Sequence, residues 1–272
     1  MQMADASVIE DLPLHIEGHE LLVPGEQLPL PLETLRVVNP EPWELGEGYK
    51  WTVDISFAFS IERGNSHSYE LDYAMNTVWQ CQDDRYILKL RGELDEANDN
   101  KNADNWNIIG KYDSYFDPPD GEAFGSRNYW GRHMYAEEDQ FADLNLRYFT
   151  GPYIGRDFLI RPRFKLSAES GLSYVSEDFI NARVQEYPGA TWNLELSSDF
   201  LGGDSSLYMD QLGVWNLSET SDMVINTSFG LSFPLLLGFE AAAEILLEYD
   251  SGSVEGVERM DETYALRLGY YW

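Results

Sequence analysis

Across residues 49–272 apolar side chains recur at every second position, and polar ones fill the gaps. A period of two belongs to extended backbone, because successive strand side chains point to opposite faces. The last residues show it most clearly. Tyr264, Leu266, Leu268, Tyr270 and Trp272 share one face, while Ala265, Arg267, Gly269 and Tyr271 share the other. An apolar face, a polar face and an aromatic last residue match the closing strand of a membrane-spanning β-barrel. A soluble sheet alternates as well, so the rest of the chain must decide.

The same pattern repeats upstream. Trp51, Val53, Ile55, Phe57 and Phe59 oppose Thr52, Asp54, Ser56, Ala58 and Ser60. Tyr69, Leu71, Tyr73, Met75 and Trp79 oppose Glu70, Asp72, Ala74 and Asn76. Later stretches centre on Leu88, Ile108, Leu146, Leu166, Leu194, Phe229 and Ile245. Around Trp130 and Leu212 neither face is clean, and the register there stays open. The count predicts an all-β antiparallel transmembrane barrel of about twelve strands of about ten residues, long enough to cross a bilayer when tilted. A β-sandwich is the alternative, but its strands run nearer five or six residues. No run of 18 apolar residues is present for a spanning helix. Residues 1–48 are rich in Pro, Leu and Glu and poor in aromatics, and read as an N-terminal periplasmic extension ahead of a barrel at 49–272. Short strands are expected near residues 19–23 and 32–38.

The net charge is -30, from 48 acidic and 18 basic residues, which would repel a nucleic-acid backbone. It fits a salty habitat or an envelope rich in divalent cations. Residues 1–6 lack the basic start and apolar core of a signal peptide, so the export signal is expected to be absent from this chain. The lone Cys81 reads as a free, inert thiol in a turn. With a periplasmic C-terminus, short turns are expected at 80–85, 201–206 and 235–238, with longer connections at 117–127 and 155–162. The acidic segments 61–68, 95–104, 136–143, 176–186, 218–222 and 250–261 are expected to face outward.

Several residues resemble a known family. Trp51-Thr52-Val53-Asp54-Ile55-Ser56-Phe57 followed by Gly64-Asn65-Ser66-His67-Ser68 is similar to the opening hairpin of the bacterial salt-induced outer-membrane proteins. Val53 stands where that family has a Gly. Gly256-Val257-Glu258-Arg259-Met260-Asp261 and Leu35-Arg36-Val37-Val38-Asn39-Pro40 resemble its lead-ins to the last strand and to the barrel. The resemblance covers residues 35–272. It implies an integral outer-membrane barrel of a Gram-negative bacterium, linked to salt stress, and it carries no catalytic residues.

Candidate site residues follow from the polar faces. Glu240, Glu244, Glu248 and Arg267, with Lys89, Arg91, Lys111, Arg147 and Lys165, are expected to form a lumenal charge ladder. The ladder either selects ions or stiffens a narrow barrel. Trp51, Trp79, Trp106, Trp192, Tyr249, Tyr264 and Trp272 are expected at strand ends as interfacial girdles. No cofactor is expected beyond loosely held Ca²⁺ or Mg²⁺ at acidic loops, with Asp95, Asp99 and Asp104 the weak metal candidates; their spacing is not that of an EF-hand. A lipid-acting barrel enzyme would need His133 with Ser126 or Ser167, and no spacing supports that pairing. The expected partners are outer-membrane lipid, lipopolysaccharide and the barrel-insertion machinery, with no nucleic acid and the oligomeric state open. The function expected is a narrow, porin-like pore or an envelope-structural barrel. The alternatives are the barrel enzyme and a soluble acidic β-sandwich binding module.

Overall fold

The computed structural model describes residues 41–272 apart from 64–66, 99, 117–126, 162–163, 200–204, 253–257 and 272, together with short backbone segments within 1–40. Twelve antiparallel strands close into one barrel. They are β1 (Lys50–Arg63), β2 (His67–Gln80), β3 (Asp84–Ala97) and β4 (Asn100–Tyr115). There follow β5 (Arg127–Asp139), β6 (Leu144–Arg161), β7 (Phe164–Phe179) and β8 (Gln185–Ser198). The last four are β9 (Ser206–Asn216), β10 (Met223–Pro234), β11 (Phe239–Asp250) and β12 (Met260–Tyr271). Each pairs with its sequence neighbours, and β12 returns to β1. Within residues 1–40, Gln2–Met3 pairs with Leu35–Val37, and His15–Glu17, Glu20–Leu22 and Leu30–Pro31 form a small separate sheet.

The alternation read from the sequence sorts the two surfaces. Leu266 is 80% exposed, Ile154 68% and Leu172 62%, all on the outer wall. Arg267, next to Leu266, is only 6% exposed and points into the barrel. This is the reverse of a water-soluble protein, and it excludes the soluble sandwich. A charge on the outer wall at mid-bilayer would cost about 2–4 kcal/mol, so the charged residues gather inside and at the two ends. Arg132 on the outer wall of β5 pairs with Tyr112, which packs edge-on against Trp130 at 6.3 Å. The row continues through Tyr86 and Tyr49, with ring centroids 4.9 Å and 6.1 Å apart. Such a belt suits an interface where a long side chain can reach water.

The strands run 11 to 18 residues, longer than the sequence suggested. Residues 155–161, expected in a connection, continue β6 because Gly155 and Ile160 pair with Glu169 and Lys165 of β7. The acidic stretch 95–104 is mostly a paired hairpin, with Asp95 opposite Ala103 and Ala97 opposite Asn100. Tips are correspondingly tight. Asn98 and Asp143 take left-handed φ angles of 51° and 60°, which short polar side chains tolerate. The turn between β10 and β11 uses Leu237 and Gly238 at φ 61° and 83°. Around Trp130 and Leu212 both faces carry apolar groups, which hid the register: Trp130 and Met134 face out, while Tyr129, Tyr135, Leu212 and Val214 face in.

Candidate functional site

The lumen divides lengthwise into a packed side and an open side. On the packed side, Ile109, Tyr135, Phe149, Val175, Tyr187 and Val214 meet in an apolar cluster. Tyr135 stacks on Phe149 at 4.5 Å, and His133 stacks on Tyr153 at 5.3 Å. The rings lie close to the wall because the facing residues are glycines. Tyr129 pairs with Gly155 and Gly131 with Tyr153. A Cβ on Gly131 would fall 2.4 Å from the Tyr153 ring, and one on Gly155 would fall 2.4 Å from Tyr129.

The open side holds a cavity of about 790 Å³, room for on the order of tens of waters. Its walls carry seven acidic residues (Asp54, Asp157, Glu195, Asp210, Glu240, Glu244, Glu248) and seven basic ones (Arg85, Lys89, Arg91, Lys111, Arg127, Lys165, Arg267). The cavity is therefore balanced in charge although the chain is not. The acidic excess lies outside this cavity, part of it on inner faces elsewhere in the barrel, as at Glu70, Asp72 and Glu93.

Charge pairs brace this space at three levels. Toward the chain termini, Arg85 meets Asp113 at 2.6 Å, and Asp113 also accepts a short hydrogen bond from the Tyr153 hydroxyl. At mid-height, Lys89 of β3 reaches across to Glu195 of β8 at 2.7 Å and to Asp210 of β9. Lys111 meets Glu169 at 2.7 Å. Arg91 of β3 and Arg267 of β12 share Glu244 of β11, at 2.9 Å and 2.5 Å. At the far end Arg147 of β6 holds Glu137, Glu177 and Asp250, the last across the lumen on β11, at 3.1, 2.6 and 2.5 Å. Isolated charges in a low dielectric would be expensive, and each of these cations is met by a carboxylate.

Of the ladder residues read from the sequence, Lys89, Arg91, Lys111, Lys165, Glu240, Glu244, Glu248 and Arg267 line the cavity, and Arg147 lines a smaller one beside Glu248 and Asp250. The sequence reading missed the acidic partners Glu137, Glu177 and Asp210 and the basic pair Arg85 and Arg127. Their position on the polar faces was the available signal, but which strands meet across the lumen cannot be read from spacing. Among the girdle residues, Trp51 and Trp79 stack near the terminal end at 6.0 Å, and Tyr249 and Tyr264 lie toward the other end, opposite Met260 and Ile245. Trp106 donates to Glu138 at 3.0 Å. Trp192 departs from the strand-end expectation: it sits in mid-β8, where its indole covers Gly213. Trp272 lies outside the described residues.

Of the metal candidates, Asp95 and Asp104 do not fall in a common acidic cluster among the described residues. Asp104 is held by Lys101 at 2.5 Å, Asp95 lies on β3, and Asp99 is outside the described residues. Among the described residues the acids that do converge are Glu70, Asp72 and Glu93, on the inner faces of β2 and β3. His133 bonds not to Ser167 but to Ser173, at 2.8 Å, with Thr191 beyond at 3.4 Å; Ser126 lies outside the described residues. The His133–Ser173 pair is buried beneath Tyr153 and Phe149, on the packed side, with no carboxylate bonded to the imidazole among the described residues. Cys81 occupies the β2–β3 turn and donates to Asp84 at 3.0 Å.

No curated protein matches the sequence. Among solved structures, the NanC porin is similar over 80% of this chain and 97% of that one, at 11% identity and a TM-score of 0.45. The translocator domain of the autotransporter NalP from Neisseria meningitidis is similar over 84% and 88%, at 12% identity and a TM-score of 0.37. The toluene transporter TodX from Pseudomonas putida is similar over 82% and 88%, at 9% identity and a TM-score of 0.26. The family described as protein of unknown function, DUF481, matches residues 55–272, from within β1 to the end of the chain, and this chain belongs to that family.

Proposed function

We propose that this chain works in the outer membrane as a narrow, charge-lined pore. The observation that carries the reading is the open side of the lumen, a polar cavity of about 790 Å³ with equal numbers of acidic and basic residues on its walls. Water and small ions are at home on such walls, while the packed aromatic side and the cross-lumen pairs exclude larger solutes. The apolar outer wall favours a bilayer around the barrel, and an outer membrane is the bilayer that barrels of this kind occupy. The acidic excess at the ends would gather divalent cations, which lipopolysaccharide also uses, and this supports a role under salt stress.

A second reading has its own observation. Lys89, Arg91, Lys111 and Arg147 tie strands together across or along the lumen, as struts would in an envelope-structural barrel. The lipid-acting enzyme gains no support, because the His133–Ser173 pair is buried away from lipid. Recording the purified full chain in planar bilayers separates the pore from the strut. Small discrete current steps are expected; silent membranes containing folded protein would favour the structural role.

A further inference from the structure

The barrel closes through a short ladder. Among the described residues, β12 pairs with β1 only at Leu268–Phe57, Gly269–Ser56, Tyr270–Ile55 and Tyr271–Asp54. The flanking ladders are continuous: β11–β12 runs from Phe239–Tyr270 to Tyr249–Met260, and β1–β2 from Lys50–Gln80 to Arg63–His67. Residues 260–267 of β12 and 58–63 of β1 are thus paired on one side only. Two sheet edges face each other there, with Phe59 on one outer lip and Leu266 on the other, both exposed where acyl chains lie. Backbone groups without a strand partner are costly in hydrocarbon, which makes this seam the weakest part of the wall.

Immediately inside the point where the strands part lies Arg267, which shares Glu244 with Arg91. Both guanidiniums bury an Nη1 atom with no hydrogen-bond partner among the described residues. Glu244 accepts from Nη2 of Arg91 and from Nε of Arg267, so two cations share one bonded carboxylate. Asp72 attracts both from the neighbouring wall of β2 but makes no hydrogen bond to either. Two unused donors, both closed off from water behind a weakly paired seam with apolar lips, fit one kind of occupant.

We propose that the β1–β12 seam is a lateral port for a single-chain anionic amphiphile, its headgroup oxygens accepting from Nη1 of Arg91 and Arg267 and its chain remaining between the outer lips. The proposal rests on the membrane-spanning reading but not on axial conductance, so silent bilayers would leave it standing.

The test uses the full chain, with Cys81→Ser, in phosphatidylethanolamine–phosphatidylglycerol vesicles. The probes are a diazirine fatty acid and a diazirine lysophosphatidic acid. Photolabelling of inward-facing residues on β12, β1 and β2 is expected, by the fatty acid alone if the site selects carboxylate and by both if any anionic headgroup serves. R91Q and R267Q should each weaken that labelling by about tenfold, the loss expected for one charge-assisted hydrogen bond. Extending the observed register places Phe59 opposite Leu266, so F59C with L266C should form a disulfide that suppresses inner labelling until it is reduced. A short bismaleimide across the same cysteines serves where a disulfide does not form. Labelling confined to outward residues and unchanged by the crosslink or by R91Q would overturn the port. So would crosslinking of these cysteines between two copies, which would mean that a second chain covers the seam.

Discussion

Replacing Lys89 by Met should turn the lumen toward cations. Lys89 bridges Glu195 and Asp210 across the cavity, and its loss leaves both carboxylates without their cation. A passing ion at about 5 Å in water-like dielectric feels a unit charge as roughly 0.8 kcal/mol. Removing Lys89 favours a cation by about that amount and disfavours an anion by the same. The ratio of cation to anion permeability should therefore rise by about fifteenfold, from a difference of about 1.7 kcal/mol. Reversal potentials across planar bilayers under a salt gradient report this ratio directly. The shift should be near its full size at about 0.1 M salt, where the screening length is about 10 Å, and should shrink near 1 M. Unchanged selectivity with unchanged conductance would mean that ions do not pass Lys89, and the lumen would not be the path.

Other perturbations probe the wall and the struts. Leu266→Arg should lower stability in vesicles by about 2–4 kcal/mol in urea unfolding, because the side chain faces acyl chains; a loss below the range would place Leu266 away from lipid. Arg147→Met leaves Glu137, Glu177 and Asp250 without their shared cation and should cost about 3–5 kcal/mol in the same assay. Gly131→Val drives a side chain into the Tyr153 ring and should cost about 1–3 kcal/mol while shrinking any conductance. Asp222, in the β9–β10 turn, has its carboxyl raised above the ordinary 3.8, mainly by burial, against the hydrogen bond from Asn216. Its stabilising contribution is thus complete below pH 3.8 and is lost as pH rises through the higher folded value. Asp222→Asn should raise the Tm relative to the native chain at pH 7, and the gain should disappear at pH 3; a gain that persists at pH 3 would point to a cause other than this carboxyl.

Much of the architecture was legible because a membrane barrel writes its two environments into alternate residues. Leu266 beside Arg267, and Ile245 beside Glu244, carry the lipid–lumen contrast without any tertiary knowledge. Legibility failed where the lumen itself is apolar. Tyr129, Tyr135, Leu212 and Val214 face inward on the packed side, so β5 and β9 show no clean polar face. Strand ends were also misjudged. Acidic residues at 95–104 read as loop, yet a lumenal face above the bilayer tolerates carboxylates in paired strands. For the site, the sequence supplied the basic and acidic faces but not the pairings. That Lys89 meets Asp210, or that His133 meets Ser173, depends on which strands oppose one another across the closed cylinder, and local patterning holds no record of that. Where the pairing of β1 with β12 stops is equally silent in the sequence.

Cysteine accessibility in a Cys81→Ser background tests the inside–outside assignment most directly. Single cysteines at Ser228, Ser232 and Ala242, on the cavity wall, should react in vesicles with a water-soluble thiosulfonate and resist a lipid-borne maleimide. Cysteines at Leu231, Ile245 and Leu266 should do the opposite. A reversed pattern, or lipid-borne reagent reaching the cavity positions as readily as the outer ones, would contradict the account.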